Sequence, residues 1–401
     1  MHSYFCLGGA GRICRESALD LLRHAAVARL TIGDVDEAAG REVVAWLNDP
    51  RVSFVKVDLD DEAGTIAAMR GHDVVLDGTT ISLNGRSTRL IGLAGCHGIN
   101  LNGFGEEYAF DSLFREAGRV HVPGFGMTPG TTNLMAVRAA DQLEKVVVVR
   151  VSHGAFRPVA FSKSITETTT YEYDPALPGR VVFERGDFIQ VKPFARPRMI
   201  ALPGPYGTHP QYIIPHSETK TLAEYLQGRG VELIEVRGTW PPPNMLLVRA
   251  LYEWGLLRNE SFNYRGQDLR IMDVVGDYLG QSREGTTTEL YGYALHIEVE
   301  GERDGRLFRH TLTHTHPVSD GSIPEWAGLR AYTRNVGIPM GVAAERLALG
   351  VACGPGVHIP ERAFRPDDIL PALALRGLHI HETIEEISAY DFSTCASPGQ
   401  P

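Results

Sequence analysis

The sequence predicts an α/β protein, with an N-terminal domain built as a doubly wound parallel sheet and a second, α+β domain built on a mixed sheet. Three observations carry this. Strand and helix patterns alternate over the first third of the chain, a glycine-rich turn separates the first strand from the first helix, and β-rich patterns dominate from residue 146 onward. Alternation at this spacing means parallel strands joined by right-handed crossovers.

The elements follow in order. Residues 2–7 (HSYFCL) read as a strand, and Gly8 to Gly11 as a turn. Residues 12–25 place Ile13, Leu19, Leu21 and Leu22 at helical spacing, suiting a helix packed on a sheet. Strands are expected at 27–33, 52–58 and 72–79, with helices at 37–47 and 61–70 between them. The pattern continues through 89–95, a helix near 106–117 and a strand at 119–123. GFGMTPGTTN (124–133) is then a turn opening a helix at about 131–143. Farther on, YGYALHIEVEGERDGRLFRHTLTH reads as two long strands joined at Asp304-Gly305. The segment 334–349 is apolar on much of its surface and is expected to be buried, and helices are expected at 366–376 and near 382–388. The division expected is a cofactor domain over 1–125, a substrate and dimerisation domain over 126–340, a return to the first domain over 341–390, and a frayed tail over 391–401.

Composition bounds the function. At 401 residues the chain exceeds one ordinary core, and about 150 residues per domain gives two or three. A net charge of −10 without a dense Lys/Arg run argues against a nucleic-acid partner. No apolar run is long enough for a membrane span, and the N-terminus lacks a signal-peptide pattern, so a cytoplasmic protein is expected. Cysteines 6, 14, 96, 353 and 395 have no paired spacing, which argues against disulfides and structural zinc.

The sharpest local signal is Gly9-Ala10-Gly11-Arg12-Ile13-Cys14, lying where the G-x-G-x-x-G dinucleotide fingerprint of a Rossmann domain belongs. Gly9 allows the tight turn, and Gly11 lets the backbone approach a pyrophosphate resting on the helix N-terminus. Cys14 replaces the third glycine and is small enough for close packing. Asp34 ends the second strand 25 positions after Gly9, near the spacing at which an acid accepts from the ribose hydroxyls. Asp36 adds a second negative charge, and no basic residue intervenes before Arg41, which favours NAD over NADP. Asp58, after the third strand, is expected beside the adenine. The plainer reading is a glycine-rich turn with a solvated aspartate.

With GGAGRIC, DVVLDGTT and GFGMTPGTTNLMA in view, the chain resembles the saccharopine dehydrogenase-like family over nearly its whole length, on the side of lysine 6-dehydrogenase and saccharopine reductase. Asp77-Gly78-Thr79-Thr80 falls where the family has a small-residue loop beside the cofactor. Gly95 to Asn100 resembles its Gly-x-His-Tyr-x-Asp stretch, with Gly98 for the tyrosine and Asn100 for the aspartate. Pro129 to Asn133 resembles its Pro-Gly turn, His216-Ser217-Glu218-Thr219 its His-Ser-Glu-Thr stretch, and 341–361 its C-terminal return. The resemblance implies hydride exchange between NAD and a carbon bearing an amine, an amino-acid or polyamine substrate, and a homodimer. Gly98 is expected to open space beside the nicotinamide.

Several side chains become candidates. His97 is expected to handle protons, because imidazole titrates near neutral pH. Asn100 is a candidate substrate contact, and Asn133 a candidate cofactor contact. His216 and Glu218, two apart, would share a side of an extended segment; the plainer reading is a helix start. Thr128 and Asn133 flank another helix start and read equally as caps. His310, His314 and His316 alternate along a strand and are read as interior rather than as a metal site. Arg157, Arg196, Arg198, Arg237 and Arg334 are the candidates for holding a carboxylate. The leading expectation is an NAD-dependent amino-acid dehydrogenase that deaminates lysine oxidatively at its 6-amine or acts on a related amine; the alternatives are opine-type coupling of an amine with an aldehyde or keto acid (which needs two carboxylate sites) and dinucleotide binding without turnover.

Overall fold

The computed structural model describes residues 1–158, 163–176, 179–281 and 290–387. The first half runs β1 (His2–Leu7), α1 (Arg12–His24), β2 (Val27–Asp34), α2 (Glu37–Leu47), β3 (Val52–Lys56), α3 (Glu62–Met69), β4 (Val74–Asp77), α4 (Asn84–Ala94), β5 (His97–Asn100), α5 (Asp111–Glu116) and β6 (Val120–Val122). Local chemistry sets these bounds. Asp36 caps α2 by accepting from the Ala39 N–H at 3.0 Å, and Asn48 ends it in the left-handed region at φ 47°. Asp61 caps α3 in the same way.

The second half contains α6 (Thr131–Ala140), β7 (Lys145–Phe156), α7 (Lys163–Tyr173), β8 (Val181–Glu184), β9 (Asp187–Gln190), β10 (Arg198–Leu202), β11 (Gly207–Ile213), α8 (Glu218–Tyr225), β12 (Leu233–Thr239) and α9 (Pro242–Glu253). It goes on through β13 (Phe262–Tyr264), β14 (Gln267–Leu269), α10 (Ile271–Gln281), β15 (Gly292–Arg303) and β16 (Arg306–Thr315). The chain closes with α11 (Leu329–Ala348), β17 (Gly356–Val357), α12 (Pro360–Ala363), α13 (Pro366–Ala374) and β18 (His379–Ile387).

The first sheet has the order β3-β2-β1-β4-β5-β6-β17, with every pairing parallel. The order reverses between β1 and β4, so a crevice opens beyond the C-terminal ends of those two strands. The second sheet is mixed. It follows β10-β11-β12-β7-β15-β16-β18, with β12 and β7 parallel and the other neighbours on that path antiparallel; β8 pairs antiparallel with β12 and β9. Asp304 and Gly305 join β15 to β16 with positive φ at both positions, as a two-residue hairpin requires.

The return to the first domain begins earlier than residue 341, at α11, which packs against α1. Gly337 makes the approach possible: an added Cβ would stand 2.7 Å from the Ile13 carbonyl oxygen. Arg330 and Arg334 of α11 pair with the buried Glu16, and Arg376 binds both the buried Asp20 and Glu345. β17 joins the first sheet, but β18 crosses back to the second. The helix expected near 382–388 is therefore an edge strand over the described part of that span. The tail expected over 391–401, and Cys395 within it, lie outside the described residues. The four described cysteines are free thiols, and no described helix is long and apolar enough to cross a membrane.

Candidate active site

The glycine turn at the end of β1 is shaped for an anion. A Cβ on Gly9 would lie 2.7 Å from the Cys6 carbonyl oxygen, so the turn tolerates no side chain there. The Ala10 N–H donates to Asp34 Oδ2 at 2.9 Å, tying the turn to the tip of β2. Gly11 stands at the N-cap of α1 with no side-chain cap and no acid in the first turn, which leaves that turn's N–H groups for a bound anion. Cys14 is buried, and a Cβ on Gly78 would stand 2.9 Å from the Cys14 Cβ. The glycine missing from the fingerprint is thus supplied by the facing loop. Arg12, Ile13, Gly78, Thr79 and Thr80 line the cleft. Asp58 is exposed beyond the end of β3 and accepts from the Asp60 N–H at 2.9 Å. These residues fit a nicotinamide dinucleotide: amide donors at a bare helix start, space where glycines stand, and a carboxylate at the tip of β2.

Across the cleft stands a buried acid–base group. His216 precedes α8, and Glu218 is that helix's first residue. Glu218 is fully buried and accepts from Thr128 Oγ1 at 2.6 Å and Thr132 Oγ1 at 2.9 Å. Its other oxygen lies 3.3 Å from His216 Nδ1, an ion-pair distance without hydrogen-bond alignment. On the far side of the ring, His216 Nε2 lies 4.0 Å from Glu172 Oε1 of α7. The His153 ring of β7 stacks on His216 at 5.4 Å and on Tyr293 at 5.6 Å. The Arg157 guanidinium lies over Trp240 at 5.1 Å and over Tyr332 at 5.4 Å.

Burial and charge set the protonation states. Burial works against a charged His216, but the facing Glu218 and Glu172 carboxylates hold its pKa above the ordinary value. Burial likewise opposes an ionised Glu218, yet His216 and the Thr128 hydroxyl bring its pKa well below the usual range. Glu172 goes the other way: burial raises it, against the pull of His216 and the arginines. Burial keeps His153 neutral, with a pKa pushed down to about 3.

Of the expected site residues, the cleft brings together His216, Thr128, Arg157 and the cofactor turn. Glu218 lies behind His216 rather than in the cleft wall, and the two belong to a helix start rather than an extended segment. His97 is not in the cleft. It begins β5 opposite Val74, at the N-terminal edge of the sheet, while Asn100 at the other end of the strand lies opposite Asp77. That separation is about 10 Å at ~3.3 Å per residue. His97 Nδ1 accepts from the Val120 N–H at 3.0 Å, and burial lowers its pKa to about 4.

Asn100 does not line the cleft either. It is fully buried, donating to Asn84 Oδ1 at 2.9 Å and accepting from the Gly124 N–H at 3.0 Å. Asn133 caps α6 by accepting from the Gly130 N–H at 2.7 Å, and it donates to Glu361 at 2.6 Å. The space expected beside Gly98 is filled: a Cβ there would stand 2.2 Å from His121 Nδ1, and His121 is fully buried.

Among the other arginines, Arg196 pairs with Glu184, Arg198 with Glu298, Arg237 with Glu235 and Arg334 with Glu16. His310 binds Glu382, His314 binds Asn335, and His316 accepts from the Tyr293 N–H. The residues that sequence reasoning missed are Glu172, His153, Trp240, Tyr293 and Tyr332. They come from separate elements, and no local motif marks them.

Two facing domains, one built to cradle a dinucleotide and the other presenting a buried acid–base group, define an oxidoreductase dependent on a nicotinamide nucleotide. Residues 5–122 match the family model described as the saccharopine dehydrogenase NADP binding domain, and residues 126–378 match the saccharopine dehydrogenase C-terminal domain. The chain belongs to the saccharopine dehydrogenase family, and its cofactor is NAD(P). Carboxyaminopropylagmatine dehydrogenase of Synechocystis sp. is 21% identical over 299 residues, covering 71% of this chain and 70% of that protein. Saccharopine dehydrogenase (L-Glu forming) from Saccharomyces cerevisiae has a TM-score of 0.71 at 13% identity, over 96% of this chain and 100% of that one. Homospermidine synthase from Legionella pneumophila, solved with NAD, has a TM-score of 0.59 at 13% identity, over 100% of this chain and 94% of that one. These two likenesses show the shared fold.

Proposed function

We propose that the chain is an NAD-dependent oxidoreductase acting on a carbon–nitrogen bond, coupling the amine of an amino acid or polyamine to an aldehyde or keto acid. One observation carries this reading: Arg157, Glu172 and His216 meet in one aromatic-walled cleft facing the glycine turn. Such a cleft suits a substrate with both a carboxylate and an amine. The name of the Synechocystis relative supports it, because that name joins a carboxy group and an amino group in one molecule. Asp34 and Asp36 at the tip of β2 support NAD, since a 2′-phosphate there would meet two carboxylates.

The chemistry divides among the residues. Arg157 holds a carboxylate, and Glu172 receives the amine. Amine and carbonyl condense with loss of water; the resulting imine takes a hydride at carbon and a proton at nitrogen. The reduced nicotinamide nucleotide supplies the hydride. Protonated His216 gives the proton and recovers it in the reverse direction. Glu218 is a positioning residue that keeps His216 charged and oriented. Trp240, Tyr293 and Tyr332 exclude water from the reacting centre.

Oxidation of lysine at its 6-amine is the second reading. It is favoured by the fact that, among the described residues, Arg157 and Arg12 of the cofactor turn are the arginines that line the cleft. Incubating the protein with NADH and paired amines and keto or aldehyde acids decides between them. Consumption of NADH only when both partners are present supports coupling. Reduction of NAD by lysine alone, with ammonia released, replaces it with deamination. Tight NADH binding without turnover in any mixture leaves a dinucleotide-binding protein.

A further inference from the structure

Behind the His216–Ser217 turn lies a second cavity. It shares Phe104, His216 and Ser217 with the main cleft, so the two spaces meet at the acid–base group. Its other walls are the rings of Tyr108 and Tyr171, with Lys220 and Glu224 from α8. Gly179 keeps it open: a Cβ there would press within 3.0 Å of the Tyr171 hydroxyl and 3.2 Å of Pro215. Phe104 leans on Tyr171 at 4.5 Å between ring centres, forming the partition between the two spaces.

The polar groups here favour an anion. Lys220 makes no ion pair among the described residues, whereas Glu224 is already engaged by Arg362 at 3.5 Å. The phenol hydroxyls of Tyr108 and Tyr171 are protonated near neutral pH, so both can donate. Lys220 lies one turn along α8 from Ser217, its N–H donating to the Ser217 carbonyl at 2.9 Å. A carboxylate beside Lys220 would therefore belong to a chain whose other end reaches His216.

We propose that this side chamber is a second carboxylate subsite, in which Lys220 binds the acid end of the keto or aldehyde acid while its carbonyl carbon lies at His216. The inference rests on the coupling reading and deepens it. Coupling an amino acid to a keto or aldehyde acid needs two carboxylate anchors, and Arg157 in the main cleft is proposed as the first. Simple deamination of lysine needs one.

The test is calorimetric titration of NADH-saturated protein with 2-oxoglutarate and with succinate semialdehyde, using the wild type, Lys220→Met and Lys220→Arg. Lys220→Met is expected to weaken binding of at least one probe by tenfold or more. Lys220→Arg is expected to stay within threefold of the wild type. Melting temperature and NADH affinity should be unchanged in both variants, because Lys220 is exposed and does not line the cleft beside the cofactor turn. Equal binding by the wild type and Lys220→Met overturns the proposal, as does failure of the wild type to bind either probe. Probe binding that depends on Lys220, with no NADH consumption alongside any amine, keeps the subsite and removes the coupling reading.

Discussion

At the scale of single residues, the site turns on one histidine between two carboxylates that differ in state. Glu218 is ionised and raises the His216 pKa; Glu172 is pushed toward its protonated form by burial. His216→Gln removes the proposed proton donor and should lower kcat by about 10²- to 10⁴-fold with NADH affinity unchanged, measured by steady-state kinetics and NADH titration. Glu218→Gln leaves burial to dominate, so the His216 pKa should fall. The alkaline limb of the reductive pH–rate profile, which reports loss of the His216 proton, should then move to lower pH; an unmoved limb would show that the proton resides elsewhere. His97→Ala should leave kcat within about twofold, because His97 lies at the opposite edge of the sheet, and should cost about 1–3 kcal/mol, because the buried Val120 N–H loses its acceptor, read by denaturant melting. The sequence singled out His97 by residue type. What it lacked was the rule that in a parallel sheet only one end of each strand faces the crevice, and His97 starts its strand where Asn100 ends it.

At the scale of elements, the first half was legible because its signals are local. Asp36 and Asp61 cap their helices, Asn48 ends one, and the Gly9–Gly11 turn stands between a strand and a helix. The last strand was not legible. HIHETIEEI carries no turn or cap of its own, and it is extended because its nine residues pair along β16. Tertiary pairing overrides local preference there. The acid–base site was only partly readable: the His216–Glu218 pair is adjacent in sequence, but Glu172, His153 and Tyr293 come from α7, β7 and β15. The tip of β2 gives an element-level prediction. Asp34→Ala removes the carboxylate that binds the Ala10 N–H and that is proposed to accept from the ribose hydroxyls, and should weaken NADH at least tenfold while narrowing its advantage over NADPH. An unchanged NADH affinity by fluorescence titration would remove Asp34 from the cofactor site.

At the scale of the whole molecule, one buried carboxylate joins three elements. Glu361 of α12 accepts from Asn133 of α6 at 2.6 Å and from Thr221 of α8 at 2.8 Å through one oxygen, while its other oxygen is buried without a partner among the described residues. Burial raises its pKa to about 7, with Glu218 nearby adding to the rise. The unfolded value is about 4.3, so the folded chain holds this proton more tightly. The group therefore favours folding at low pH, and its contribution is lost as pH rises from about 4.3 through about 7. Glu361→Gln should flatten that slope and raise the melting temperature by several degrees at pH 8, with little change at pH 5. An equal shift at both values would remove ionisation as the cause.

The path of the chain through α11, β17 and β18 has a consequence for its dissection. Neither half is a contiguous stretch of polypeptide, because the first sheet borrows its edge strand from residues 356–357 and the helix that covers α1 from 329–348. A fragment cut after residue 125 would leave Glu16 and Asp20 without Arg330, Arg334 and Arg376, and would strip the apolar cover from β4 and β5. Expressed alone, it should aggregate or remain molten, while co-expression with the remainder should restore a soluble complex. Gene fusions and split reporters built at that apparent domain border would inherit the same fault.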